Sequence, residues 1–179
     1  HRHPDREERF KHQGLVDFVT PIVKGWCTEQ SIEVASLGIQ VHGGMGFIEE
    51  TGAAQYYRDA RITTIYEGTT GIQANDLIGR KLAGEKGMTA RMLIEEMQRC
   101  NASLTKVQHP AIASISRNLG SGVEALGRAT DWLLETYATD VRAAATGAVP
   151  YLKLCGIVLG GYQLAKSALI AKQQLDAAS

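Results

Sequence analysis

The sequence contains little cysteine and no excess of either charge. Its three cysteines are far apart and lack the spacing of metal ligands, which indicates a reduced intracellular protein whose thiols pack as small hydrophobic groups. The 19 basic residues balance the 19 acidic ones, so the formal net charge is zero. A neutral chain lacks the electrostatic footprint that nucleic acid or an anionic membrane surface requires. We therefore expect a small-molecule or protein partner and no nucleic acid.

Long apolar runs are also missing. No uninterrupted stretch approaches the roughly 20 residues that a membrane-spanning helix needs, and residues 1–9 lack the apolar core of a signal peptide. These absences predict a soluble chain without a membrane span. The sequence begins without methionine, on a charged stretch that is typical of an exposed connection between elements. We expect a piece of a longer polypeptide, located in the bacterial cytoplasm, with the mitochondrial matrix as the alternative.

Convincing β-strand patterns and internal repeats are absent, whereas helical periodicity is strong. Apolar residues recur at intervals of three and four from Leu15 to Val41, which predicts a long amphipathic helix. Pro21 interrupts this pattern, so the helix either begins there or is kinked there, and we favour the beginning. The sequence predicts an all-α fold.

Glycines and β-branched residues divide the next part of the chain. Three glycines between Gly43 and Gly46 should end the long helix. A shorter helix is expected over 49–61 with Thr51 as a possible cap, then an extended segment over 62–66, because that segment is brief and β-branched. A third helix should run from about Thr70 to Leu82.

From residue 93 onwards, apolar residues follow a four-three alternation that predicts antiparallel bundle helices. The helices should be joined near His109 and Pro110, and the chain should restart after Gly147. Three glycines in the last helix should permit close approach of a neighbouring helix, and they are Gly156, Gly160 and Gly161.

The first candidate for chemistry is Glu67 with its neighbours. Thr69 or Thr70 can cap the helix that follows, which places Glu67 just outside a helix N-terminus. Gly68 removes a side chain and lets a ligand approach the backbone there. The arrangement is typical of a positioned general base. The alternative is a solvated carboxylate that only complements the helix dipole.

The second candidate is the glycine-rich stretch from Gln40 to Phe47. Its glycines expose backbone amides that can bind phosphate, although an ordinary helix end has the same composition. His42 has no partner at metal-ligand spacing and is expected to be structural. Arg58 and Arg61 can hold an anion or form ion pairs. The sequence contains no nucleophilic triad, and no second carboxylate flanks Glu67, so a catalytic Glu67 would act as a lone base beside a cofactor.

Several motifs in fixed order resemble the C-terminal helical domain of the acyl-CoA dehydrogenases. They are Gln40 to Phe47, Tyr57-Arg58-Asp59-Ala60-Arg61-Ile62, Ile65-Tyr66-Glu67-Gly68-Thr69, Ile72-Gln73 and Arg80-Lys81-Leu82. The resemblance implies that Glu67 takes a proton from the carbon next to a thioester, while a hydride leaves the next carbon for the flavin of FAD. A water-poor acyl pocket would raise the pKa of such a carboxylate.

The resemblance also implies roles for neighbouring residues. Gly68 would lie against the acyl thioester and Thr69 would meet the flavin. Gln40, Gly43 and Gly44 would contact the adenosine-pyrophosphate end of FAD, usually that of a neighbouring subunit. One departure concerns Gly71, which stands where many members have a glutamine that helps to hold FAD.

Residues 85–179 resemble an added C-terminal helical domain, which occurs in a branch that includes enzymes acting on methylthiopropanoyl-CoA. Residues 1–84 would then be part of the third, helical domain of the family. We expect the N-terminal and middle domains elsewhere in the polypeptide, a homodimer or homotetramer, and electron-transfer flavoprotein as acceptor. The chain alone is expected to be inactive. Alternatives are an acyl-CoA oxidase and a non-catalytic helical oligomerisation module. The added domain either buries surface between subunits or covers the mouth of the acyl pocket.

Overall fold

The computed structural model describes residues 4–177, and these residues form helices and turns with no β-strand. The all-α prediction is therefore confirmed.

A continuous helical rod opens the described chain. Helix α1 (Arg6–Ile22) passes through a π-helical segment (Val23–Cys27) into α2 (Thr28–Val41). The carboxylate of Asp5 caps α1 by accepting the amide N–H groups of Glu7 and Glu8 at 2.8 and 3.4 Å. The expected exposed connection before residue 12 is therefore helical from Arg6. Residues 1–3 of that stretch lie outside the described residues.

The prediction that a helix begins at Pro21 is wrong, because Pro21 lies inside α1. A proline there deprives the carbonyl of Asp17 of its helical amide partner. Pro21 and Ile22 are both buried, however, and burial of apolar side chains offsets part of that loss. The π-helical segment follows directly, so the backbone adjusts its winding where the hydrogen-bond ladder is interrupted.

Helix α2 ends before Gly43, as predicted, and Gly43 adopts a positive φ of 62°. A short helix α3 (Gly44–Phe47) and a 3₁₀ turn (Glu49–Thr51) follow before α4 (Ala53–Thr63), which packs against α2. The expected helix over 49–61 therefore begins later. Gly52 occupies the N-cap position with φ of 78°, and the Thr51 hydroxyl instead donates to the carbonyl of Met45.

The extended segment expected over 62–66 is a helix end and a turn. Ile62 and Thr63 close α4, and the amides of Ile65 and Tyr66 donate back to the carbonyl of Ile62 at 3.0 and 3.3 Å. The Thr63 hydroxyl donates to the carbonyl of Ala60 at 2.6 Å. Threonine can bond a preceding carbonyl in this way, so a short β-branched run continues a helix when its neighbours are helical.

The remaining elements lie after this turn. Helix α5 (Thr70–Asp76) continues as a second π-helical segment (Leu77–Ala83) and is followed by α6 (Met88–Leu104), α7 (Pro110–Thr139), α8 (Val141–Thr146) and α9 (Ala148–Ala177). The predicted joins near His109 and after Gly147 are confirmed. The four-three seams are buried in one apolar core that both halves of the chain share. The boundary proposed between residues 84 and 85 stays a prediction.

Helix α9 contacts the first half of the chain at the π-helical segment Val23–Cys27. A Cβ atom added to Gly156 would lie 2.3 Å from Cγ of Trp26, and one added to Gly25 would lie 2.8 Å from Cδ1 of Leu152. The side chains of Trp26 and Leu152 therefore pack against glycine backbone, and at Gly156 Trp26 leaves no room for a Cβ atom. Of the three glycines expected to permit close approach, Gly156 does so. Gly160 and Gly161 face open space.

By length and composition alone, α9 is apolar enough to cross a membrane, with a mean hydropathy of 1.4 over its most apolar window. One face of α9 is buried in the helical core, where Cys155, Val158, Tyr162 and Ala165 pack. The core helix of a globular protein has this composition as well, so the absence of a membrane span stays a prediction.

The three cysteines are free, but they do not share one environment. Cys155 packs as a small apolar side chain, as predicted, and its burial raises the pKa of the thiol to about 12. Cys100 is half-buried, and burial also raises its pKa. Cys27 is exposed, so the expectation of a packed thiol is wrong at that position.

We predict opposite effects of alanine at two glycines of α9. Gly156→Ala should lower the free energy of unfolding by about 1–3 kcal/mol, because the new methyl group overlaps Trp26. Gly160→Ala is the matched control and should raise it by about 0.5–1 kcal/mol, because alanine is the better helix former and nothing lies near its Cβ. Urea denaturation of the 179-residue chain measures both. Equal effects of the two substitutions would contradict the close packing of α9 on Trp26.

Candidate functional site

The turn between α4 and α5 presents Glu67 in an uncommon backbone conformation. Glu67 has a φ of 54° and Gly68 a φ of 93°. A left-handed conformation costs a non-glycine residue about 1–2 kcal/mol, so surrounding contacts must hold it. The side chain of Glu67 is exposed. Backbone strain of this kind concentrates at functional sites. Lys86 has a similar φ of 52°, but only the Glu67 turn also carries a sequence motif typical of a positioned base, which makes it the leading candidate in the described chain.

Hydrogen bonds fix the turn on both sides of Glu67. The side-chain amide of Gln73 donates to the carbonyl of Glu67 at 3.0 Å. The ammonium group of Lys24 donates to the carbonyls of Thr63 and Gly68, both at 2.8 Å. The same ammonium lies 5.6 Å from the centre of the Tyr66 ring, within cation–π range.

Sequence reasoning missed Lys24. A signal existed, because Lys24 is the one charged residue between Asp17 and Glu29, in a segment that is otherwise apolar or uncharged. A lone charge in such a segment usually has a specific partner when it is partly buried. Its partners lie 39 and 44 positions away, which periodicity cannot reveal.

Gly68 is required by the local geometry. Besides its positive φ, a Cβ atom at this position would lie 3.1 Å from Nε2 of Gln73 and 3.3 Å from Cγ2 of Ile72. A side chain here would therefore disturb the glutamine that holds Glu67. The bare backbone also leaves room for a ligand next to the carboxylate.

Thr69 and Thr70 differ from the expected caps. Thr69 occupies the N-cap position of α5 with an extended backbone, but its side chain makes no capping hydrogen bond. The Thr70 hydroxyl donates to Oε1 of Glu29 on α2 at 2.5 Å. Glu67 lies just outside the N-terminus of α5, as predicted, and Thr69 is exposed beside it.

Apolar surface surrounds the turn. Val23, Ile65, Tyr66 and Ile72 are 51, 47, 51 and 60% exposed. An open apolar groove along α1 ends at Lys24, and its lining residues are Leu15, Val16, Val19, Thr20, Val23 and Lys24. Exposed apolar surface of this kind is typical of a ligand-binding site. An apolar ligand bound here, covered by other parts of the protein, would lie next to the Glu67 carboxylate.

The glycine-rich stretch forms a separate surface. Gln40 lies in the last turn of α2, Gly43 is the N-cap residue of α3, and Gly44 is the first residue of α3. All three are exposed, and a Cβ at either glycine would meet nothing within 4 Å. His42 bonds the carbonyl of Gly38 through Nδ1 at 2.9 Å, which confirms its structural role at the end of α2.

The structure does not bring the two candidate stretches together. They lie at opposite ends of α4, an 11-residue helix whose rise gives a length of about 16 Å. Arg58 between them forms an ion pair with Glu49 at 2.6 Å, and Arg61 donates to the hydroxyl of Thr64. Both arginines therefore have partners within the chain. The described residues contain no cluster of histidine, cysteine or carboxylate side chains that could hold a metal ion.

Two family models match the chain. Residues 7–83 match the acyl-CoA dehydrogenase C-terminal domain, and residues 93–179 match a domain described as acetyl-CoA dehydrogenase C-terminal like.

Relatives of known name match the same region. The chain is 49% identical over 173 residues to 3-methylmercaptopropionyl-CoA dehydrogenase of Ruegeria pomeroyi. The aligned residues make up 97% of this chain and 29% of that protein. It is 30% identical over 168 residues to the broad-specificity linear acyl-CoA dehydrogenase FadE5 of Mycobacterium tuberculosis, which covers 90% of this chain and 27% of that protein.

A third similarity centres on a shorter region. The short-chain specific acyl-CoA dehydrogenase of rat mitochondria is 47% identical over 55 residues, which are 31% of this chain and 13% of that protein. The chain thus spans less than a third of the length of each of these relatives. Its two matched regions leave only a short gap between residues 83 and 93. The chain belongs to the acyl-CoA dehydrogenase family and corresponds to the C-terminal portion of that family's proteins.

Proposed function

We propose that this chain is the part of a flavin-dependent acyl-CoA dehydrogenase that carries the catalytic base, and that Glu67 is that base. One observation supports the proposal above all. Glu67 is held in a left-handed backbone conformation by hydrogen bonds to the carbonyls of Glu67 and Gly68, while its carboxylate remains exposed next to apolar surface. A base must be both positioned and accessible to the proton that it removes.

In the proposed reaction, the Glu67 carboxylate accepts the proton on the carbon next to the thioester carbonyl. The electron pair of that C–H bond becomes the second bond of the 2,3-enoyl-CoA as a hydride leaves the neighbouring carbon. Bound FAD supplies the hydride acceptor. The apolar residues around the turn would exclude water from the carboxylate once the rest of the protein covers them.

The other candidate residues have supporting roles in this proposal. Gly68 lets the thioester approach the backbone beside the base, since no side chain occupies that space. The exposed Thr69 would face the flavin. Gln40, Gly43 and Gly44 offer bare, accessible backbone for the adenosine-pyrophosphate end of FAD. Their distance from Glu67 fits a cofactor that a neighbouring subunit holds, so we propose a homodimer or homotetramer.

Further parts of the proposal concern the complete protein. N-terminal and middle domains would supply most flavin contacts and half of the acyl pocket, and electron-transfer flavoprotein would accept the electrons. Helix α9 packs on Val23–Cys27, and this contact supports a role for residues 85–179 in stiffening the catalytic half. The proposed substrate class is a CoA thioester with hydrogens on the first two acyl carbons beyond the carbonyl.

An acyl-CoA oxidase would use the same base and flavin but would pass its electrons to oxygen. Rapid reoxidation of the reduced full-length protein by air, without a protein acceptor, would favour the oxidase. A non-catalytic oligomerisation module would show neither turnover nor reduction of flavin by acyl-CoA.

We predict that Glu67→Gln in the full-length protein lowers kcat by about 10²- to 10⁴-fold, the range that a general base contributes. Glutamine has the same shape as glutamate but cannot accept the proton. Flavin absorbance should persist, because the backbone contacts of the turn remain. Reduction of an artificial electron acceptor by acyl-CoA measures the rate.

The matched control is Glu95→Gln, which changes an exposed glutamate on α6. It should leave kcat within about twofold of the unmodified protein, since it lies outside the turn. Full activity of the Glu67→Gln protein would exclude Glu67 as the base.

We also predict that the 179-residue chain alone neither retains FAD nor oxidises acyl-CoA. It presents only exposed edges to the cofactor, and tight cofactor sites bury most of the ligand surface. Absorbance of flavin that co-elutes with the chain in gel filtration measures retention. Stoichiometric flavin on the isolated chain would show that the remaining domains are dispensable for binding.

A further inference from the structure

Lys24 makes long-range contacts that the proposed reaction does not itself require. It lies in the π-helical segment Val23–Cys27, and its ammonium donates to the carbonyl of Thr63 at the end of α4 and to the carbonyl of Gly68 directly after Glu67. One cation therefore joins the two ends of the turn that contains Glu67. Hydrogen bonds from a charged donor are roughly twice as strong as neutral ones.

Additional contacts restrict the position of this ammonium. It lies 5.6 Å from the centre of the Tyr66 ring, so the residue before Glu67 contacts it as well. The segment that contains Lys24 is packed against α9, because Gly25 lies against Leu152 and Trp26 lies against Gly156. The lysine is thus anchored at its backbone by the C-terminal helix and at its tip by the turn.

The conformation of Glu67 makes such a restraint necessary. A positive φ at glutamate is unfavourable, and an unrestrained turn would relax towards a more ordinary backbone conformation. Such a relaxation of the backbone changes the direction of the Cα–Cβ bond and therefore moves the carboxylate. The Gln73 amide holds the carbonyl of Glu67, and Lys24 holds the next carbonyl along the chain. The Gln73 bond fixes the peptide group that follows the Cα of Glu67, and the Lys24 bonds hold the turn on either side of that residue.

We propose that Lys24 is a positioning residue for the base, acting through the backbone of the turn rather than on the substrate. This inference rests on the proposed function of Glu67. It also gives the C-terminal helix α9 a role in the site, because α9 supports the segment from which Lys24 reaches the turn.

The test replaces Lys24 with methionine in the full-length protein, which keeps the length and apolar stem of the side chain but removes the ammonium. We expect kcat per bound flavin to fall by about 10- to 100-fold, because a displacement of about 1 Å at a reacting group has effects of that size. KM for acyl-CoA should stay within about twofold, since methionine keeps the apolar stem with which Lys24 lines the groove along α1.

Hydrogen–deuterium exchange supplies a readout that does not depend on turnover. Amides of residues 64–70 should exchange about tenfold or more faster in Lys24→Met than in the unmodified protein, because the turn opens more often without its charged donor. Lys106→Met is the control and changes an exposed lysine between α6 and α7. It should alter neither exchange in this segment nor kcat.

The two readouts separate the possible failures. Unchanged exchange in residues 64–70, or a kcat within twofold of the unmodified protein, would overturn the positioning role. If the unmodified protein has no dehydrogenase activity, the proposed function fails, whereas the exchange measurement still tests the restraint on the turn. If Lys24→Met does not fold, Lys24→Gln provides the same comparison, since its shorter amide keeps a donor but loses the charge.

Discussion

The turn that contains Glu67 depends on one charged group that bonds two backbone carbonyls far away in sequence. Lys24 donates to the carbonyls of Thr63 and Gly68. The segment between these two carbonyls contains Glu67, whose φ is 54°. A strained residue persists only where its surroundings over-determine it. The conformation of this turn is held by Lys24 and by the Gln73 amide, and no side chain at Gly68 opposes it.

The helical framework makes this arrangement rigid. The rod formed by α1 and α2 winds as a π-helix over Val23–Cys27, and α9 packs directly on that segment through Gly156 and Trp26. Both halves of the chain share one apolar core, so the C-terminal helices are structurally continuous with the half that contains Glu67.

Much of this architecture follows from local patterns in the sequence. The all-α class, the seams of α6, α7 and α9, and the helix stop at Gly43 come from periodicity and glycine chemistry, which act over a few residues. The motif around Glu67 identified the family by resemblance. Three features escaped prediction. Pro21 lies within a helix, where its burial offsets part of the cost of a lost hydrogen bond, residues 62–66 continue the helix before them, and the partners of Lys24 lie 39 and 44 positions away. The first and the third depend on tertiary contacts, which a local pattern does not contain, whereas the second depends on hydrogen bonds that continue the end of α4.

The central claim is that Glu67 removes a proton from the carbon next to the thioester carbonyl, and isotope exchange tests it without the hydride step. Acetyl-CoA deuterated on its methyl group has an acidic C–D bond but no further carbon from which a hydride can leave. The full-length oxidised protein should release this deuterium to water well above the uncatalysed rate, and Glu67→Gln should not. Equal release by both proteins would contradict the assignment of Glu67 as the base.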